Sequence, residues 1–138
     1  MSDCLFCKIA SKTIPAEIVY EDDEVLAFLD INPVNPGHVL VMPKQHCLDF
    51  MDMPDSMCLP LAKTIQKIMH VQTNELGYEG VNLFQNNRPA AGQVIPHLHF
   101  HVIPRKINDG YVHWHGQEYG NGEREIMGAR IRESLKNL

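Results

Sequence analysis

Apolar residues fall into alternating and helical runs that divide most of the chain into elements. Ile18-Val19-Tyr20 and Val25-Leu26-Ala27-Phe28-Leu29 flank Glu21-Asp22-Asp23-Glu24, which predicts a hairpin with a charged turn. That acidic tetrad reads as a solvated turn ahead of a cation site. Residues 30–37 are dense in turn-formers and deliver the chain to a third strand, His38-Val39-Leu40-Val41-Met42-Pro43. Asp55 or Ser56 is placed to cap a helix running to about Leu76, with Leu61, Ile65, Ile68 and Met69 on one face and Gly77 as its stop. Its methionines read as core filler and His70 as surface. Gly80 to Asn86 predicts a fourth strand and His97 to Ile103 a fifth. A closing helix from about Glu123 to Leu135 has Ile126, Met127, Ile131 and Leu135 to bury, and Lys8-Ile9-Ala10 allows one or two helical turns before Pro15.

The fifth strand carries the chemistry. In His97-Leu98-His99-Phe100-His101-Val102-Ile103 successive side chains point to opposite faces, so three histidines share one face and Leu98, Phe100 and Val102 the other. Neighbouring histidines are then roughly 6–7 Å apart along the strand and the outer two roughly 13 Å. They cannot all serve one small site equally. The pattern admits a metal site built from i and i+2 ligands, an acid–base or nucleophilic site of neutral imidazoles, or a polar sheet face satisfied by hydrogen bonds. Strict alternation of three, with Gln93 nearby, ranks the last reading lowest. Asp30 and His38 flank a loop between strands and are marked as binding candidates, against the blander roles of turn cap and strand-end residue.

Composition narrows the class. The 138 residues are 44% hydrophobic and 21% charged, as expected of one soluble domain. A net charge of -5 argues against affinity drawn from a nucleic-acid backbone but leaves room for a small phosphorylated ligand. Neither an export signal nor an apolar run of membrane-spanning length is expected from Met1 onward, so no membrane association is expected and the cytosol is the expected compartment. In that reducing setting Cys4, Cys7, Cys47 and Cys58 read as metal ligands or free thiols before disulfides. Cys4 and Cys7, two residues apart, suit half a zinc site, but equally a packed thiol or a redox pair. The loop 87–93, small-residue and glycine-containing, allows close backbone approach to a ligand. His113 and His115, flanking the only Trp, read as a surface or interface segment ahead of a second metal site.

The histidine strand resembles the signature of the histidine triad (HIT) family, with Gly92-Gln93 ahead of it. Matching runs extend from Cys4 to about Arg105: Ile14-Pro15-Ala16, Glu21-Asp22, Phe28-Leu29-Asp30-Ile31, Pro36-Gly37-His38-Val39-Leu40-Val41 and Pro43-Lys44. The resemblance implies one α+β HIT domain over residues 1–138, with a core over 1–105 and a C-terminal extension over 106–138. It implies a five-stranded antiparallel sheet, a long central helix, a C-terminal helix and a homodimer. It further implies hydrolysis at the α-phosphate of a purine nucleotide, a nucleoside phosphoramidate or adenylylated compound being the leading substrate and a dinucleoside polyphosphate the alternative. A low-turnover nucleotide-binding scaffold is a third possibility.

Residue by residue, the family's nucleophile falls on His99, with His101 at the phosphate and leaving group and His38 beside them. Gln93 and Asn86 match phosphate-side polar residues, Asp30 a ribose-binding carboxylate, and Phe6, Phe28, Leu29 and Ile31 the walls for the base. In zinc-bearing members a Cys-x-x-Cys pair joins a mid-chain histidine and the first histidine of the triad. Those positions here are Cys4, Cys7, His46 and His97, a closed four-ligand set that implies a structural zinc. Two departures affect substrate choice: Val94 replaces a hydroxyl residue common in the Hint-like branch, and the tail beyond Pro104 is longer than in the simplest members.

Overall fold

In the computed structural model, which describes residues 3–138, five strands form one antiparallel sheet. They are β1 (Ile18–Glu21), β2 (Val25–Leu29), β3 (Val39–Pro43), β4 (Gly80–Phe84) and β5 (Phe100–Arg105), in the spatial order β1-β2-β3-β5-β4. Helix α1 (Leu5–Ala10) precedes the sheet, α2 (Cys58–His70) lies between β3 and β4, and α3 (Glu123–Leu135) closes the chain. The fold class is therefore α+β, as expected.

The central strands β2 and β3 are buried on both faces, which is why they read as continuous apolar runs. Val25, Ala27, Val39 and Val41 pack toward Leu61 and Ile65 of α2. Their alternates Leu26, Phe28, Leu40 and Met42 pack toward Phe6 and Ile9 of α1. The same parity continues through the histidine segment: Leu98, Phe100 and Val102 join the α2 side. His97, His99 and His101 thereby turn to the α1 side, where Phe6 meets His99 edge-on at 5.0 Å between ring centroids.

Several boundaries differ from expectation: β3 begins at Val39 and β4 ends at Phe84, and three further differences bear on the site and the helix. The fifth strand starts at Phe100, because the chain bends at His97, so only His101 of the three lies within a ladder. Asp55 and Ser56 do not cap α2. They lie in a 3-10 turn, Asp55–Met57, whose preceding residue, Pro54, is extended and makes no side-chain cap. The helix reaches Leu76 by widening into a π turn, Val71–Glu75, before Gly77 leaves it at φ +70°.

The closing helix occupies Glu123–Leu135, but the burial expected of it does not occur. Ile126, Met127, Ile131 and Leu135 are exposed, Ile126 by 70%. With α1 and α2 already covering the two faces of the central strands, α3 has no core face left to meet in the chain itself. The acidic tetrad behaves as a turn: both Glu24 and Val25 donate backbone N–H groups to Asp22 Oδ1, at 2.9 and 2.7 Å. Among the described residues no helix is long and apolar enough to cross a membrane.

Candidate functional site

The sheet register brings the second histidine partner to the triad. Leu40 is paired with His101, and His38 lies two residues before Leu40 on the same face, diagonal to His101. Their rings meet with His38 Nε2 3.0 Å from His101 Nδ1. Asp30, at the end of β2, brings Oδ2 to 3.6 Å from His38 Nε2 and 3.8 Å from His101 Nδ1.

Backbone groups decide which nitrogen of each ring carries the proton. Val34 donates its N–H to His38 Nδ1 at 3.2 Å, so the proton of neutral His38 is on Nε2 and points to His101 Nδ1. His101 therefore keeps its own proton on Nε2. His99 Nδ1 lies 2.7 Å from the carbonyl of His97 and must donate to it, which leaves Nε2 with a free lone pair. Burial holds the pKa of His38 and of His99 below the usual imidazole value, against the opposing pull of Asp30. Burial, then His99 and His38, brings His101 down to about 4. All three are neutral near pH 7.

Asp30, His38 and His101 also place three donor atoms within 4.8 Å of one another. A cation there would need a lone pair on His38 Nε2, and the Val34 amide puts a proton on it. That set holds a hydrogen bond from His38 to His101 where a ligand lone pair would be needed.

The other cluster has the opposite arrangement. Cys4 precedes α1 and Cys7 lies within its first turn, so this short helix aims both sulfurs the same way. Sγ of Cys4 is 3.4 Å from His97 Nδ1, and Sγ of Cys7 is 3.3 Å from His46 Nδ1 and 3.6 Å from His97 Nδ1. A tetrahedral zinc with ordinary bond lengths separates sulfur and nitrogen ligands by about 3.6 Å. Fully buried His97 donates Nε2–H to the carbonyl of Pro43 at 2.8 Å, which leaves Nδ1 as the lone pair facing the sulfurs. Burial also keeps the His97 pKa low, hence the ring neutral. Donor set, spacing and tautomer all fit zinc.

Beside His99 and His101 opens a cavity of about 570 Å³, within the usual size range of small-ligand sites. Phe6, Phe28 and Leu29 form apolar wall, and Asp30, His99 and His101 supply polar groups. Ile31 and Asn86 border it too, Ile31 at the exposed rim. Val94, 85% exposed, is also on the rim.

Compared with known proteins, residues 11–108 match the family model described as the HIT domain. The chain belongs to the HIT family. It is 49% identical over 135 residues to an uncharacterized HIT-like protein of Methanocaldococcus jannaschii, covering 98% of each chain. It is 36% identical over 136 residues to adenosine 5'-monophosphoramidase hnt1 of Schizosaccharomyces pombe, covering 96% of this chain and 98% of that one. The crystal structure of a zinc-bound histidine triad family protein from Mycobacterium smegmatis superposes with a TM-score of 0.77 at 32% identity, covering 98% of each chain.

Within this HIT chain, two marked catalytic or substrate-binding residues do not border the cavity: His38, which meets it only through His101, and Gln93. The Gln93 amide nitrogen donates to the carbonyls of Leu48 and Ile95 at 2.6 and 3.1 Å, and its oxygen accepts from the Arg88 N–H at 2.7 Å. It braces the loop. His113 and His115 join no metal-type cluster among the described residues. Sequence reasoning missed the salt bridge of Arg105 with Asp109, both of whose arms are 2.6 Å. It also missed Gln72, which is 1% exposed. A signal for Gln72 was present: counted as Leu61, Ile65, Ile68, 72, it continues the apolar stripe of α2, where a hydrophobe is expected.

Proposed function

We propose that this HIT protein is a nucleotide hydrolase that cleaves the α-phosphate bond of purine nucleoside phosphoramidates or related adenylylated compounds, through a nucleotidyl intermediate on His99. The observation that carries the reading is the tautomer pattern: a neutral His99 with its Nε2 lone pair free, beside a neutral His101 with its Nε2 protonated, both on the cavity wall. The first is a nucleophile and the second directs an N–H at the leaving group, each in its neutral form. The likeness to an adenosine 5'-monophosphoramidase supports the substrate class.

In the first step His99 Nε2 bonds to the α-phosphorus and the bond to the leaving amine breaks. The His101 Nε2 proton passes to the amine as it departs and the His38 Nε2 proton follows onto His101 Nδ1, so the negative charge left on the pair is matched by the positive charge on the nucleotidyl-imidazolium of His99. In the second step water attacks the phosphorus, its proton returns to the histidine pair, and the mononucleotide leaves with His99 neutral again. The apolar cavity walls suit the base, Asp30 the ribose hydroxyls, and Asn86 the phosphate side, with Gln93 joining only if its loop bonds exchange. Cys4, Cys7, His46 and His97 would hold a structural zinc in this reading. Bound so, Cys4 and Cys7 would fix α1, which presents Phe6 to the cavity and to the edge of His99. A homodimer belongs to the same reading, supported by the uncovered apolar residues of α3 and by Leu83, 45% exposed on edge strand β4.

Mass spectrometry of enzyme quenched during turnover tests residue and reaction together. A nucleotidyl adduct on His99 is expected. An adduct elsewhere, or turnover with none at all, overturns the mechanism. Release of AMP from an aminoacyl phosphoramidate in preference to diadenosine polyphosphates is expected, and the reverse order would transfer the assignment to the polyphosphate hydrolases.

A further inference from the structure

The hydrogen-bonded ladder between β3 and β5 ends at the pair Val39 and Val102. His38 therefore lies one residue beyond the last β3–β5 pair: its carbonyl still accepts the Asp30 N–H at 2.9 Å on the β2 side, but no ladder bond joins it to the strand that carries His101. Another group bridges that gap. Gln72 Nε2 is 2.9 Å from the carbonyl of Gly37, immediately before His38, and 2.9 Å from the carbonyl of Val102, immediately after His101. Two carbonyls at hydrogen-bond distance from one atom identify it as the amide nitrogen, donating both its protons.

We propose that Gln72 is a positioning residue for the His38–His101 pair, its buried amide tying loop to strand where the ladder stops and so holding the two rings at proton-transfer distance. The proposal rests on the reading of that pair as the proton carriers, but its structural half can be judged without turnover.

Three further observations support it. Gln72 sits in the π turn, closed by the Leu76 N–H donating to the Val71 carbonyl at 3.0 Å, and such wide turns occur frequently at functional sites. Gly37 has φ +91°, and a Cβ there would lie 3.3 Å from Leu76 Cδ1, so the carbonyl partner is seated against the same turn. The remaining side-chain atom, Oε1, is buried and has no hydrogen-bond partner among the described residues. A methionine would fill the stripe without burying an unpaired oxygen. What the methionine lacks is the two-proton tie.

The test compares Gln72→Met with Leu61→Ala, a core truncation in α2 that touches neither histidine, in the full-length protein. Nitrogen-15 correlation spectra of the imidazoles report which ring nitrogens are protonated and whether His38 is hydrogen-bonded to His101. For Gln72→Met, the His38–His101 signature should be lost or broadened, and kcat on an adenosine phosphoramidate should fall about 10- to 100-fold with KM within about twofold. Leu61→Ala should lower the melting midpoint at least as much while leaving spectra and kcat near wild type. An intact signature in Gln72→Met overturns the proposal, as does an equal loss of kcat in Leu61→Ala. If Gln72→Met does not fold, Gln72→Ser is read by the same two criteria. The Asn35 amide, which separately ties this loop to the Pro104 carbonyl at 2.9 Å, favours folding of either variant. Should wild type fail to turn over the phosphoramidate, the functional reading falls and the spectra still decide whether Gln72 holds the pair.

Discussion

The two histidine clusters use one residue type within a few residues of chain, yet they are prepared for opposite chemistry. His97 donates Nε2–H to the Pro43 carbonyl and offers a lone pair to the sulfurs of Cys4 and Cys7. His99 donates Nδ1–H to the His97 carbonyl and keeps its Nε2 lone pair on a ring that borders the cavity. His38 meets a donor, the Val34 amide, and is thereby made a donor to His101 at its other nitrogen. The difference lies in which backbone group each ring touches. In the proposed reading one cluster is a metal clasp and the other a chain of neutral proton carriers.

The comparison breaks most completely at His99. Replacing it by Gly or Ala should lower turnover of a nucleoside phosphoramidate by about 10⁴-fold or more, since covalent catalysis has no second nucleophile to fall back on. Nucleotide affinity measured by calorimetry should change only a few-fold. Turnover near wild type would show that the ring with the free lone pair is not the nucleophile.

Removal of metal tests the other cluster. Elemental analysis should find about one zinc per chain. Its loss through Cys7→Ser should lower the thermal midpoint by roughly 10 °C, corresponding to a few kcal/mol for a domain of this size. KM should rise more than kcat falls, because α1 carries Phe6 against His99 but supplies no reacting group. Chelation that abolishes kcat while leaving the melting curve unchanged would place a metal among the catalytic histidines instead.

A smaller change should move one cluster toward the other. Val34→Pro deletes the N–H that accounts for the His38 tautomer. Nε2 of His38 is then free to present a lone pair, and with Asp30 and His101 it completes a three-donor set whose atoms already lie within 4.8 Å. Zinc affinity at that set, measured with the four-ligand site already filled, should rise about tenfold, and kcat should fall by a similar factor, the scale of one hydrogen bond to a charge-bearing site. No gain in zinc binding would mean that the amide does not set the tautomer.

Much of this was legible in the residues and some could not have been. The two-sided burial of β2 and β3 shows as unbroken apolar runs, and the HxHxH alternation displays its face. The apolar residues of α3 are spread over about half the helix circumference and define no single core face, so the burial expected of Ile126 and Ile131 failed. Likewise Asp55 and Ser56 have capping chemistry, but the backbone at Pro54 placed them in a 3-10 turn. The tautomers depend on the Pro43 and His97 carbonyls and the Val34 amide. Every residue has such groups, so only the folded path of the chain shows which ones meet a ring. Gln72 was visible as a polar interruption of an apolar stripe, but its two carbonyl partners, 35 and 30 residues away, were not.

The subtlest difference between the clusters is in acid response. His101 is brought to about 4 by burial and by its histidine neighbours, below an ordinary imidazole value of 6.5. Its folded pKa is depressed, so between pH 6.5 and about 4 the unfolded chain binds a proton at this position that the folded chain refuses. The folded state is therefore favoured by this group above pH 6.5, and that advantage is lost as pH falls toward 4, below which it changes no further. The span corresponds to about 3 kcal/mol at most. In NMR titration the His101 ring proton should stay unmoved from pH 8 to 5.5. The stability difference between wild type and His101→Asn should shift between pH 6.5 and about 4, while acid loss of the zinc site cancels between the two proteins. A His101 midpoint near 6.5 would mean that burial does not govern its ring, and the contrast between the two clusters would then rest on the tautomers alone.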